Sequence, residues 1–236
     1  MGDRSCYTNC GRSVVRSRNG MIATSQPLAA AAGLEVLMKG GNAVDAAVAA
    51  SAVLGVVEPF ATSIGGDAFA IYWDNEKKEL VGLNGSGRSA YDIDGEKLRA
   101  ETGWDAFPSF TGVHTITVPG AVDAWDMLLN RYGSMSMKDL LQPAIGYARD
   151  GFPVTEIIAE QWKMNAGQLI TDEAKRVFLI DGKAPEPGDV FRNPDLANSL
   201  ELIAEQGKDV FYKGELADRM CELLSIRMLH LRNLQE

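Results

Sequence analysis

The sequence predicts a one-domain α+β chain, layered as α+β or αββα, and three observations carry that prediction. The first is a hairpin signature: AFAIYWD and ELVGLNG, rich in aromatic and branched residues, flank the polar turn Asn75-Glu76-Lys77-Lys78. The second is a pair of capped helices ahead of that hairpin. The third is the almost wholly helical patterning from residue 119 onward. No composition shift marks a linker, and no repeat or low-complexity tract interrupts the chain.

Taken in order, residues 1–19 read as a polar leader. GMIATS (20–25) reads as a short strand. Pro27 then stands where a first helical turn tolerates it, with Ser25 or Gln26 as cap, and PLAAAAGLEVLMK ends at Gly40-Gly41. Asn42 caps the next helix, with Asp45 reaching back in a capping box. From Ala43 to Val57, twelve of fifteen residues are Ala, Val or Leu, so this helix should be enclosed on all sides and stop before Pro59. Residues 85–110 read as loop, with Gly85, Gly87, Gly95, Gly103 and Pro108, and TGVHTITV (111–118) as a further strand. Pro119-Gly120 opens an amphipathic helix carrying Val122, Trp125, Leu128 and Leu129. Ser136 and Asp139 box the start of the next, which runs to Arg149 and stops at Gly151, with Pro143 expected to kink it. GFPVTEIIAEQW starts another helix. Asn193-Pro194-Asp195 opens one that Gly207 closes, and a last helix begins near Gly214.

Composition narrows the function. At 236 residues the chain is long enough to bury roughly 70% or more of its unfolded surface without disulfides or metals. The 46% apolar and 23% charged residues are ordinary for a soluble domain. Twenty-three Lys and Arg against 32 Asp and Glu leave a net charge of −9, which repels nucleic acid and anionic membranes. His114 and His230 are the only histidines, too few for a multi-histidine metal site. Cys6, Cys10 and Cys221 do not make a disulfide framework. Cys6 and Cys10 have zinc-like spacing but no second ligand pair, so all three read as free thiols of a cytoplasmic protein. The N-terminal residues 1–20 carry no apolar core of the length a signal peptide needs, and the most apolar stretch, Ala43–Val57, is too short to span a bilayer.

Several residues carry candidate chemistry. Asn84-Gly85-Ser86-Gly87-Arg88-Ser89-Ala90 matches a G-x-G-x-x-A fingerprint, but the turn-like Tyr91-Asp92 follows where a dinucleotide site requires a helix. What remains is a glycine-rich bend presenting Arg88, a side chain suited to a bidentate grip on a carboxylate. Taken alone, Arg88 reads as a surface ion-pair partner. Ser63-Ile64-Gly65-Gly66-Asp67 is either a close approach to a ligand or a tight helix-to-strand connection. His114 lacks the G-x-S-x-G elbow of a serine triad, and nothing fixes a Glu58–Asp67 separation for glycosidase chemistry. Trp104, Phe107 and Phe110 read as anchors of a long loop.

Seven blocks in one order resemble the γ-glutamyltransferase family (γ-glutamyl transpeptidase, glutathione hydrolase). They are GMIATSQPLAAAAGLEVLMKGGNAVDAAVAASAVLGVVEP, SIGGDAFAIYW, LNGSGRSA, VPGAVDAW, LLQPAIGYARDGFPV, GDVFRNPDLANSLELIAEQG and FYKGELAD, spread over residues 14–224. The resemblance implies an N-terminal-nucleophile hydrolase αββα sandwich and a precursor that cleaves itself into a large and a small subunit. It implies that residues 20–224 are the N-terminal part of the large subunit and that 225–236 form a tail outside the family pattern. It implies a nucleophilic threonine at the start of the small subunit, typically in a Thr-Thr-His stretch, activated by its own α-amine. No Thr-Thr-His occurs here; His114-Thr115 has the reverse order. No catalytic residue is therefore expected in this chain, which should be inactive alone. The resemblance places Arg88 where the family binds the substrate α-carboxylate. It implies a γ-glutamyl substrate such as glutathione and a small-subunit partner, with no cofactor, metal, nucleic acid or membrane. The best-known members have Arg-Glu-x-Ala-Pro where this chain has Arg88-Ser89-Ala90-Tyr91, so the acyl group stays open between γ-glutamyl and glutaryl-cephalosporin types. A non-catalytic carboxylate-binding protein and a split enzyme are the readings that compete with it.

Overall fold

The computed structural model describes residues 14–89, 93–103 and 116–224. The leader up to residue 13, Cys6, Cys10, Trp104, Phe107, Phe110, His114, His230 and the tail 225–236 lie outside the described residues, as does most of the strand expected over 111–118.

Helix α1 (Pro27–Met38) starts where Pro27 and Gln26 place it: the Gln26 side chain accepts from the Leu28 amide. Gly40, at φ 91°, ends it in the left-handed region. Helix α2 (Ala43–Val57) opens on the expected box, with Asn42 Oδ1 accepting from Val44 and Asp45 and Asp45 Oδ2 accepting from the Asn42 amide. Most of it is enclosed, with Val48, Ala49, Val53 and Val57 at most 1% exposed, but not on all sides as expected: Ala43 and Ala47 are exposed and Ser51 and Leu54 half-buried, a stripe at helical spacing.

The segment 20–25 is not a strand, because no partner strand lies beside it among the described residues. Ile22 instead wedges against Gly33 of α1, where a Cβ would stand 2.1 Å from its Cδ1. Strands β1 (Ala68–Asp74) and β2 (Glu79–Gly85) form the expected antiparallel hairpin, in register from Ala68–Gly85 to Asp74–Glu79. Asp74 Oδ1 accepts from the Glu76 and Lys77 amides and so shapes the turn. A short helix α3 (Gly95–Thr102), capped by Asp94 and closed by Gly103, occupies part of the expected loop. Ile116–Val118, the described end of the segment read as a strand, joins no ladder among the described residues; the Val118 amide donates to the Arg88 carbonyl.

The rest is mostly helical, as expected: α4 (Ala121–Tyr132), α5 (Met137–Asp150), α6 (Glu156–Asn165), α7 (Asp172–Phe178), α8 (Pro194–Gln206), α9 (Asp209–Tyr212) and α10 (Glu215–Leu224). Helices α7 and α9 go beyond those read from the sequence, and α6 starts at Glu156 rather than in GFPV, where Phe152–Pro153 pairs as a strand. Helix α5 runs unbroken through Pro143. Two-residue strands β3 (Phe152–Pro153) and β4 (Val190–Phe191) tie the chain ahead of α6 to that ahead of α8. Helix α2 packs between α1 and α5, and α5 packs on α8. The hairpin lies over α4, with Tyr72 on Tyr132 at 4.7 Å between centroids. Its other face, with Phe69, Ile71, Trp73 and Leu80, is 52–81% exposed.

Buried polar groups fasten the helices. Asp45, fully buried, reaches the α4–α5 turn and accepts from the Ser134 amide (2.9 Å), the Ser134 hydroxyl (2.5 Å) and the Met135 amide (3.2 Å). Burial opposes its ionisation. The Ser134 hydroxyl and the Asn42, Ser134 and Met135 amides outweigh that and hold the carboxyl below the usual aspartate value. The Trp125 indole donates to Ser51 and the Trp162 indole to the Phe178 carbonyl.

Candidate functional site

Strand β2 delivers the chain to Gly85, and Ser86–Ser89 follow without regular structure; Ala90, Tyr91 and Asp92, where a nucleotide fingerprint would need its helix, lie outside the described residues. Gly87 lies at φ 68°, and a Cβ there would stand 1.8 Å from the Val118 carbonyl oxygen. Only glycine fits. This approach lets the Val118 amide donate to the Arg88 carbonyl at 2.8 Å. Gly120 fits as tightly from the other side: a Cβ on it would stand 2.1 Å from the Gly85 carbonyl oxygen. The bend is thus clamped onto residues 118–120, and Arg88 stands exposed beyond the clamp.

The paired-glycine motif joins the same segment. The Gly66 carbonyl accepts from the Gly120 and Ala121 amides, both at 3.0 Å, at the N-terminus of α4. Ser63 Oγ accepts from the Gly65 amide at 3.1 Å, and Ser63 backs onto Gly55 of α2. The motif is a helix-to-strand connection, and it shares its anchor with the Arg88 bend. The structure therefore brings the two glycine motifs together at one end of α4. Glu58 stands apart from this contact: it is 8% exposed and accepts from Ser25 Oγ at 2.9 Å, whereas Asp67 is exposed. No bond joins these two carboxylates among the described residues, and no group of three metal-ligating side chains occurs among them.

Sequence reasoning missed the brace behind the clamp. The Tyr212 hydroxyl, at the end of α9, donates to the Pro119 carbonyl at 2.8 Å and accepts from the Asp123 amide at 2.9 Å. Lys208 Nζ bridges Asp123 at 2.6 Å and Asp126 at 3.0 Å. The FYKGELAD block held Tyr212 in plain sight, but nothing local in it points to a partner some ninety residues earlier.

The gamma-glutamyltranspeptidase family model matches residues 29–226. The chain is 42% identical over 210 residues to the glutathione hydrolase-like YwrD proenzyme of Bacillus subtilis, covering 89% of this chain and 39% of that protein. The chain thus spans well under half the length of the curated relatives it matches. Among solved structures it is similar to the gamma-glutamyltranspeptidase of Helicobacter pylori, with a TM-score of 0.87 and 29% identity over 94% of this chain and 65% of that one. It is also similar to a cephalosporin acylase from Bacillus halodurans, with a TM-score of 0.83 and 42% identity over 93% of this chain and 42% of that one. The chain belongs to the gamma-glutamyltranspeptidase family, has the α+β architecture of its N-terminal-nucleophile hydrolase fold, and corresponds to the N-terminal part of the large subunit.

Proposed function

We propose that this chain is the substrate-carboxylate half of an enzyme that transfers or hydrolyses a γ-glutamyl group, glutathione being the natural donor class. Arg88 grips the α-carboxylate of the donor. The nucleophile is an N-terminal threonine on a small-subunit partner. Its hydroxyl oxygen attacks the γ-carbonyl while its own α-amine takes the hydroxyl proton, and that proton leaves with the departing amine. Water or an acceptor amine then releases the glutamyl group. The chain contributes recognition and is silent alone.

The observation that carries this reading is the clamp that fixes the Arg88 bend directly after β2, inside the matched region. Support for a partner chain comes from the hairpin. Both outer edges of β1–β2 lack a neighbouring strand among the described residues, and Phe69, Ile71, Trp73 and Leu80 face outward. A second reading keeps the chemistry and changes the acyl group to a glutaryl-cephalosporin type. The 42% identity to a protein titled cephalosporin acylase favours it, and its acyl group also ends in a carboxylate for Arg88. The test is turnover of γ-glutamyl-p-nitroanilide by the purified chain. No p-nitroaniline release above buffer is expected, and clear release overturns the division of labour.

A further inference from the structure

Three groups meet at the start of α4, and one hydroxyl links them. Tyr212 is 3% exposed, with its ring T-shaped against Phe211. Phenylalanine would fill that space equally well, and a buried hydroxyl costs free energy unless it is bonded. This one is bonded twice, to the Pro119 carbonyl and from the Asp123 amide. Gly120, at the N-cap of α4, offers no side chain, so the Tyr212 oxygen takes over the capping of an orphan helix donor. Burial, with the Asp123 and Asp126 charges, pushes the phenol well above its ordinary value, so it remains a donor across the working pH range. Lys208 holds the same turn through Asp123 and Asp126.

Pro119 is the link to the site. Its neighbour Val118 donates to the Arg88 carbonyl, and its other neighbour Gly120 donates to the Gly66 carbonyl. With the Gly87 and Gly120 contacts allowing no slack, a shift of Pro119 moves the Arg88 bend. We propose that Tyr212 is a positioning residue for Arg88, fixing the bend through Pro119 and Val118 from an element distant in sequence. The consequence for substrate rests on the reading of Arg88 given above; the mechanical link does not.

The test is Tyr212→Phe in the full 236-residue chain, with two readouts. Amide hydrogen exchange at Val118, Gly120 and Asp123 is expected to accelerate roughly tenfold, the value of one buried hydrogen bond. Exchange at Leu141 and Ile203, in α5 and α8, is expected to stay within about twofold. Affinity for L-glutamate is expected to fall roughly fivefold or more, with Arg88→Ala measured alongside. Unchanged exchange at Val118, or the same acceleration at every amide, overturns the positioning role. Glutamate binding indifferent to Arg88→Ala overturns the Arg88 reading alone, and the exchange pattern still decides Tyr212. Should Tyr212→Phe not fold, Lys208→Met loosens the same end of α4, and the same comparison applies.

Discussion

Asp45 is the side chain whose removal should cost this fold most for its size. It accepts four hydrogen bonds while fully buried: from the Asn42, Ser134 and Met135 amides and from the Ser134 hydroxyl. Asp45→Ala strands three amide donors that cannot turn away, and a hydroxyl that can. At the low end of roughly 1–3 kcal/mol for each of the three stranded amides, the loss is about 3 kcal/mol. That is a large share of the roughly 5–15 kcal/mol a domain has. Asp45→Asn is milder. Its single oxygen keeps the Ser134 and Met135 amides, both of which bond Oδ1, but its NH₂ faces the Asn42 amide, donor to donor. About 2 kcal/mol is expected there. The pH dependence has a definite sign. Because the folded carboxyl lies below the ordinary 3.8, its contribution is present above that pH and fades as pH falls through the folded value. Urea unfolding followed by tryptophan fluorescence checks this, since Trp125 and Trp162 are both buried. A loss below about 1 kcal/mol in Asp45→Ala refutes the reasoning. So does an acid-side decline, below about pH 4, that is as steep in Asp45→Asn as in the parent.

Two other substitutions separate the site from the scaffold. Gly87→Ala adds a methyl against the Val118 carbonyl at a left-handed position, so it should cost more than the roughly 1–2 kcal/mol of that backbone strain and weaken L-glutamate binding about tenfold by calorimetry. Gly182→Ala, at φ 78° with no atom within 4 Å, is its control and should leave binding unchanged. Replacing Phe69 and Trp73 together by Lys should lower self-association in sedimentation velocity while shifting the melting temperature little, because both are already more than half exposed. Undiminished association would show that the hairpin face is not sticky.

The sequence disclosed most where the physics is local. Asn42 and Asp45 announce the α2 cap, Asn193 and Pro194 announce α8, and AFAIYWD with ELVGLNG announce the hairpin, because each signal and its partner lie within a few residues. The failures share the opposite cause. GMIATS has strand composition, but a strand exists only beside another strand, and Ile22 found Gly33 instead. Helix α3 was hidden because Gly95 and Gly103 look like loop punctuation, although Asp94 caps the first and Gly103 closes the last turn. At the site, the Arg88 loop was legible as a glycine-rich bend, but not what that bend packs against. Val118, Pro119 and Tyr212 enter only through tertiary contacts, and a tyrosine capping a helix some ninety residues away leaves no periodic trace.

The most direct measurement is a calorimetric titration of the purified chain with L-glutamate and with 4-aminobutyrate, which lacks the α-carboxylate, repeated on Arg88→Ala. If Arg88 grips that carboxylate, glutamate binds the parent chain, 4-aminobutyrate does not, and Arg88→Ala loses at least about tenfold, the value of one charge-assisted hydrogen bond. Equal binding of the two ligands, or an Arg88→Ala variant that binds glutamate as well as the parent, would contradict the role given to Arg88.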